Sequence, residues 1–122
     1  MSAEELKKKV IEVLEDVIDP EIGIDVYNLG LVYGIEVEGD KVKIKVTLTT
    51  PFCPLANVVP MMIEENIRRR LNLQPIIELV FEPPWNPSMM TEKGRKMFIE
   101  KFGYDIVEEY LRQQSEQRFE YP

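Results

Sequence analysis

One stretch of the chain combines residue types that could carry chemistry, and it contains the only cysteine: Thr47-Leu48-Thr49-Thr50-Pro51-Phe52-Cys53-Pro54-Leu55. It follows an alternating, strand-like segment and leads into an apolar pattern of helical period, which predicts that Cys53 lies where a helix begins. Unpaired backbone N–H groups and the positive end of the helix dipole favour the thiolate at such a position. Cys53 is therefore the strongest candidate for chemistry.

A lone cysteine also has a plain structural interpretation, because most free cysteines are small buried hydrophobes. The neighbours of Cys53 favour function instead. Thr49, Thr50 and two prolines make a rigid, polar loop rather than an apolar core segment.

The composition excludes several kinds of site. The chain of 122 residues has no histidine, so it cannot build a Ser-His-Asp triad, a Cys-His dyad or a histidine zinc site. One cysteine cannot form a disulfide within the chain or hold a four-cysteine cluster. These features predict a single domain in a reducing cytoplasm, with a core made from its 44% of apolar residues.

The charge argues against two kinds of partner. A net charge of −7 disfavours nucleic acid, whose binding depends on neutralising phosphates with Lys and Arg. Arg68-Arg69-Arg70 is accordingly interpreted as a solvated helix face. No apolar run is long enough to span a membrane, and the N-terminus is not that of a signal peptide, so we expect no membrane association.

The elements that must position the Cys53 loop begin with a helix and a hairpin. Helical periodicity after a Ser2–Glu5 capping box predicts a helix from about Ala3 to Val17, which ends before Pro20. A mixed loop with three acids follows, from Asp19 to Gly30, which could be a plain connection or an acidic functional loop. Two alternating runs flanking Gly39-Asp40 then predict a β-hairpin, with the strands starting at Leu31 and ending on Thr49 and Thr50.

The second half of the chain predicts further helices around one more strand. A helix should follow Pro54, and it either bends at Pro60 or becomes regular near Asn57. A third strand is predicted with Ile77, Leu79 and Phe81 on one face. The proline-rich segment 83–87 holds Trp85 in a rigid loop, either a lid over the core or a contact surface. Helices are then predicted from Thr91 to Phe102 and around Ile106–Leu111.

This order predicts an α+β fold, with a small mixed three-stranded sheet, helices mainly on one face and a helical C-terminal extension. Three motifs occur in sequence. They are Asp19-Pro20-Glu21 with Asn28-Leu29-Gly30-Leu31-Val32; Thr47-Leu48-Thr49-Thr50 running into Cys53-Pro54-Leu55; and Pro83-Pro84-Trp85-Asn86-Pro87 leading to Glu92-Lys93-Gly94-Arg95. Together they resemble the metal-sulfur cluster biosynthetic protein family, which includes SufT-type, PaaD-type and eukaryotic cytosolic iron-sulfur assembly proteins.

The resemblance implies a domain over residues 1–104, followed by an extension at 105–122, and an accessory role in the maturation of iron-sulfur proteins. It also implies one shared site formed by Asp19, Glu21, Thr49, Thr50 and Cys53. Partners would be iron-sulfur assembly proteins or client apoproteins, with a homodimer as a further expectation. No cofactor would be bound permanently, but iron or an iron-sulfur cluster could be held transiently by Cys53 with a carboxylate.

Three alternatives stay open at this point. The first is a PaaD-like assembly component for an aromatic-degradation oxygenase. The second is an enzyme with Cys53 as nucleophile and Asp19 or Glu21 as base, which we do not favour because no histidine is present. The third is a protein-binding adaptor without metal, using Trp85 and the C-terminal helix as its contact surface.

Overall fold

A computed structural model describes residues 2–49 and 58–119, with side chains as far as residue 115. In chain order the elements are α1 (Ala3–Leu14), β1 (Val32–Glu38), β2 (Lys41–Val46), α2 (Val58–Leu71), β3 (Gln74–Leu79), a short 3-10 helix (Pro87–Met89), α3 (Glu92–Phe102) and α4 (Ile106–Phe119). The three strands form one mixed sheet in the order β1-β2-β3. The predicted α+β fold and its helical C-terminal extension are confirmed.

Helix α1 begins where the sequence predicts but ends earlier. The Ser2 side chain caps it by accepting the Glu5 amide at 3.2 Å. The predicted end near Val17 is wrong, because the helix stops at Leu14. Val17 instead accepts a backbone hydrogen bond from Val26 at 2.9 Å, so the chain leaves the helix to pair with the returning acidic loop.

The predicted hairpin is confirmed, with shorter strands. β1 and β2 pair antiparallel around the Gly39-Asp40 turn, from Glu38↔Lys41 to Val32↔Val46. β2 ends at Val46 rather than on Thr49 and Thr50. The Thr47 amide still donates to Leu31 at 2.8 Å, which keeps the chain beside β1 for one more residue.

Strand β3 is parallel to β2 and starts earlier than predicted. The predicted strand residues begin at Ile77, whereas β3 begins at Gln74 and includes Pro75, which lies opposite Val42. Because β3 is at the edge of the sheet, its outer side needs no amide partner and a proline is tolerated. The chain turns from α2 into β3 at Asn72, which has a φ of 54°.

The core lies on one face of the sheet. Alternate residues of β2 (Val42, Ile44, Val46) are fully buried there against α1 and α2, while Lys41, Lys43 and Lys45 point to the other face. Val59, Ile63 and Ile67, which recur at four-residue spacing in the sequence, are buried on one face of α2. α2 is described from Val58, with Pro60 in its first described turn. Residues 50–57 lie outside the described part of the chain, so both alternatives for the start of this helix stay predictions.

The last two helices are joined by a charged corner. Thr91 caps the start of α3 by accepting the Gly94 amide at 3.0 Å, and Gly103 ends it in a left-handed conformation at φ 80°. Asp105 then accepts the Val107 amide at 3.0 Å at the start of α4, and both of its oxygens bind Arg95. None of the described helices is long and apolar enough to cross a membrane.

The core arrangement gives a matched pair of isoleucines. Ile44 is fully buried, while Ile76 on the adjacent strand is 50% exposed. We expect Ile44→Ala to lower the free energy of unfolding by about 2–5 kcal/mol, because it removes buried methylenes and leaves a cavity. Ile76→Ala should cost less than about 1 kcal/mol by the same denaturant measurement. Equal losses in the two variants would contradict the assigned core face.

The charged corner predicts a dependence of stability on pH. The Arg95 guanidinium, followed by the amides of Glu108 and Val107, holds the pKa of Asp105 below its ordinary value of 3.8. A depressed carboxyl pKa stabilises the folded state above the ordinary value, and the contribution is lost as the pH falls through the folded pKa. We therefore expect the unfolding free energy of Arg95→Met to fall less steeply than that of the native chain between about pH 5 and pH 2.

The control for this prediction is Arg112→Met, which removes an arginine paired with Glu108 and Glu109 on the exposed side of α4. The unfolding free energy of Arg112→Met should fall with pH as steeply as that of the native chain. An equally steep fall in Arg95→Met would show that the Arg95–Asp105 pair does not couple stability to pH.

Candidate functional site

The first predicted site residue, Asp19, shapes the start of the acidic loop. Its Oδ1 accepts the amides of Glu21 at 2.8 Å and Ile22 at 3.3 Å, and its carbonyl oxygen accepts the Gly23 amide at 2.7 Å. The side chain is only 5% exposed. Asp19 therefore holds a tight turn that leaves Glu21 on the exposed side of the loop.

A second turn in the same loop is built by Asp25 and Asn28, both buried. The Asn28 amide donates to Asp25 Oδ2 at 2.9 Å, and the Asn28 side-chain Nδ2 donates to both carboxylate oxygens at 3.0 Å. These donors satisfy a carboxylate that would otherwise be costly to bury.

Asn28 also connects this loop to α3 and to the end of α1. Its side-chain Oδ1 accepts the Thr91 hydroxyl at 2.6 Å, and its carbonyl oxygen accepts the Thr91 amide at 3.0 Å. Its Nδ2 also donates to Glu15 at 3.3 Å, and Glu15 forms an ion pair with Lys93 at 3.3 Å. One buried side chain thus joins three segments that are distant in sequence.

Helix α3 approaches this loop closely enough to require a glycine. A Cβ added at Gly94 would collide with the backbone carbonyl of Asn28. The absence of a side chain at Gly94 is what allows the N-terminal end of α3 to lie against the acidic loop.

The proline-rich loop is held over the sheet at two points. The Trp85 indole N–H donates to the carbonyl oxygen of Leu29 at 2.7 Å, and the Tyr33 hydroxyl donates to that of Pro83 at 2.7 Å. Trp85 is half-buried and packs against the core. Of the two interpretations of this loop, this placement favours the lid.

Trp85 and Thr49 meet in one small cavity of about 70 Å3, which we call the threonine cavity. Its lining is made of Thr47, Leu48, Thr49, Phe81, Pro84 and Trp85. Thr47 is 1% exposed, and its Oγ1 is the buried side-chain polar atom left without a hydrogen-bond partner among the described residues. An unsatisfied buried hydroxyl costs about 1–3 kcal/mol, so this atom calls for an explanation.

The predicted site is therefore only partly visible. Thr49 and Trp85 line the threonine cavity, whereas Asp19 and Glu21 lie in the acidic loop and are not among its lining residues. Thr50 and Cys53 lie outside the described residues. Within residues 2–49 and 58–119, no three Asp or Glu side chains are grouped as a metal site would need. The shared five-residue site and the role of Cys53 as a ligand stay predictions.

The predicted site does not include Asp25, Asn28, Thr91 or the hydroxyl of Thr47, although Asn28 and Thr47 lie in the motifs and Thr91 begins a predicted helix. The Asp25-x-x-Asn28 spacing is typical of side chains that bind their own backbone in a turn, and this signal was available. The pairing of Asn28 with Thr91 spans 63 residues and had no local signal.

These features define an α+β domain in which a threonine-rich strand end, an acidic loop and a tryptophan loop are fastened together. Residues 7–73 match the family described as iron-sulfur cluster assembly protein. The chain belongs to this family, which confirms the resemblance drawn from its motifs.

Individual relatives agree with this assignment. The chain is 37% identical over 97 residues to the Fe-S protein maturation auxiliary factor YitW of Bacillus subtilis, covering 75% of this chain and 92% of that protein. It is 36% identical over 90 residues to an Fe-S protein maturation auxiliary factor of Porphyromonas gingivalis, covering 72% and 86%. The crystal structure of a domain of unknown function, DUF59, from Bacillus anthracis superimposes with a TM-score of 0.74 at 30% identity, covering 80% and 94%.

The close approach at Gly94 predicts that replacing this helical glycine by alanine changes the stability in the opposite direction to the usual one. Alanine inside a helix normally stabilises by about 1 kcal/mol relative to glycine. We expect Gly94→Ala to destabilise instead, by about 1–3 kcal/mol, because the new methyl group displaces the Asn28 backbone. Thermal unfolding measures the effect.

The matched control is Gly34→Ala, where the nearest atom to the new Cβ is Lys45 Cδ at 3.7 Å, an ordinary contact. It should change stability by less than about 1 kcal/mol. A stabilised Gly94→Ala protein would show that α3 does not press on the acidic loop.

Proposed function

We propose that this protein is an accessory factor in the maturation of iron-sulfur proteins, acting in the cytoplasm by brief contact with a cluster or with a client apoprotein. The observation that carries the proposal is the family match over residues 7–73, which includes Asp19, Glu21, Thr49, Thr50 and Cys53. Relatives named as Fe-S protein maturation auxiliary factors support the same role.

The small number of possible cluster ligands in the chain favours an iron-sulfur cluster as transient cargo over one bound as a resident cofactor. Iron-sulfur clusters are held mainly by cysteine thiolates, commonly four of them, and this chain has one cysteine and no histidine. Cys53 as a thiolate would supply one soft ligand to the cluster. The remaining ligands would come from a second copy of the chain or from the client.

The two acidic residues of the proposed site would have different roles. Asp19 is buried and its Oδ1 already accepts two backbone amides, which favours a positioning role over a metal ligand. Glu21 lies on the exposed side of the turn, where a carboxylate could approach a cluster or a client. We therefore assign Asp19 to the shape of the loop and Glu21 to contact.

We infer a non-enzymatic role. The chain has no histidine to activate Cys53 as a nucleophile, and the relatives named above are auxiliary factors. Trp85, which an adaptor would use for contact, is half-buried and hydrogen-bonded to Leu29. A binding module based on Trp85 is therefore the less supported alternative.

Transfer of a cluster from a loaded donor protein to an apo-ferredoxin tests the proposal. Visible absorption of the acceptor would be followed anaerobically with native protein, Cys53→Ala and Cys53→Ser. We expect the native protein to accelerate loading, and both variants to lose most of that acceleration because neither alanine nor serine supplies a soft thiolate.

Ile76→Ala, on the outer face of the sheet, is the control variant and should accelerate loading as the native chain does. Thermal unfolding of each variant checks that the fold is kept. Full activity in both Cys53 variants would remove the cysteine from the mechanism and leave client recognition without metal contact. No acceleration by the native protein would contradict a direct role in cluster transfer.

A further inference from the structure

A cleft of about 720 Å3 opens beside Lys45, whose side chain lies on the face of the sheet opposite the core. We call it the lysine cleft, and all of its lining residues belong to the described part of the chain. Its volume is within the range of roughly 300–1,000 Å3 that is typical of small-molecule sites. The lining combines strand residues with residues of the neighbouring loops, among them Val32, Lys45, Val80, Tyr27, Pro83 and Met89.

Lys45 carries a positive charge that the rest of the sheet does not compensate. The other two lysines of β2 lie opposite glutamates of β1, whereas Lys45 lies opposite Gly34. Its neighbour on β3, Glu78, forms an ion pair with Lys43 at 3.3 Å. Within residues 2–49 and 58–119, the Lys45 ammonium makes neither a hydrogen bond nor an ion pair.

The position of the Lys45 stem leaves this ammonium accessible. The stem packs beside Gly34, with Cδ 3.7 Å from the point where a Cβ of residue 34 would lie. Lys45 as a whole is only partly buried. A lysine in such a position covers its methylene groups and keeps its charged end in water. The space that Lys45 lines is the lysine cleft, so a ligand there can replace water at the ammonium.

The hydroxyl groups of the lining add a second donor. The Tyr33 hydroxyl is already donated to the proline-rich loop, and that of Thr91 is donated to the acidic loop. The Tyr27 hydroxyl has no partner within the described ranges. An ammonium and a phenol without acceptors favour a ligand that ends in a carboxylate, which accepts several hydrogen bonds and is strengthened by the positive charge.

The remaining lining limits the body and the charge of the ligand. The side chains of Val32, Val80, Pro83 and Met89 are apolar, and they favour an apolar body next to the carboxylate. Glu82 also lines the cleft, on its exposed side. Its negative charge repels a dianion more than a monoanion, so phosphates and dicarboxylates are disfavoured.

We propose that the lysine cleft binds a small organic acid with one carboxylate and an apolar body. The carboxylate is held by the Lys45 ammonium and the Tyr27 hydroxyl, and the body lies along Val80 and Met89. The volume of the cleft favours a free acid over a segment of a partner protein. This site goes beyond the proposed function, because it uses neither Cys53 nor the acidic residues assigned to cluster or client contact.

Hexanoate is a suitable probe, because it carries one carboxylate on a short apolar chain. It would be titrated at neutral pH into the isotope-labelled native protein while backbone amide shifts are recorded by NMR. We expect saturable shifts at Tyr27, Lys45 and Val80, with a Kd of about 1 mM, and none at Arg68 on α2. Hexanamide lacks the charge and acetate lacks the apolar body, so each should bind at least about tenfold more weakly.

Variants of one strand separate the charge of Lys45 from its shape. Lys45→Met keeps an unbranched side chain without the charge, and it should weaken hexanoate binding about tenfold while leaving hexanamide within about twofold. Lys45→Arg keeps the charge and should bind hexanoate within about threefold of the native chain. The matched control is Lys41→Met, on the same face of β2 but outside the cleft lining, which should bind within about twofold. Thermal unfolding checks each fold.

The outcomes decide the proposal. Saturable shifts at the lining that are lost in Lys45→Met and kept in Lys41→Met would support it. Equal affinity for hexanamide, shifts spread away from the cleft, or native affinity in Lys45→Met would overturn it. Saturation by the peptide acetyl-Leu-Asp-Leu-amide without saturation by hexanoate would also overturn it, by assigning the cleft to a protein partner. Cluster transfer is measured separately, so failure here leaves the proposed function standing.

Discussion

The hydrogen bonds of Asn28 are the constraint on which the rest of the site depends. Its side-chain nitrogen donates to the buried carboxylate of Asp25 and to Glu15, while its side-chain oxygen accepts the Thr91 hydroxyl. An amide is suited to this position because it donates and accepts on opposite sides. A carboxylate at the same position would place a second negative charge beside Asp25, and an apolar group would leave Asp25 with the backbone amide of residue 28 but without the side-chain donor.

The hydrogen bonds of Asn28 are connected to the threonine cavity through the next residue, Leu29. The carbonyl oxygen of Leu29, the residue after Asn28, accepts the Trp85 indole N–H, so the acidic loop fixes the tryptophan loop. Trp85 in turn closes the cavity against the chain that leaves β2. Within residues 2–49 and 58–119, the Asn28 side chain and the Trp85 indole are hydrogen-bonded inside this assembly, whereas the buried Thr47 hydroxyl has no partner.

The sequence predicted elements whose signals are local and failed where a distant partner decides. The hairpin has alternation and a turn dipeptide, and α3 has a cap at each end, so both were found. The end of α1 was misplaced because Val17 is removed from the helix by pairing with Val26. β3 was placed too late because Pro75 is tolerated only at a sheet edge, which the sequence does not reveal. The role of Asp19 in a shared site stays a prediction, and its Oδ1 accepts two local amides, a structural use that its motif does not indicate.

Under the proposed function, a single cysteine would be a suitable ligand number for a factor that must release what it contacts. A site with four thiolates within one chain would hold a cluster tightly and compete with the client for it. A site with one thiolate would stay incomplete until a second chain or the client supplied the remaining ligands, so the proposed contact would form only in the encounter. The rigid loops around Asn28 support this arrangement, because a surface ordered in advance lowers the entropy cost of each brief encounter. Weak coordination and strong preorganisation would then be complementary properties of the proposed factor.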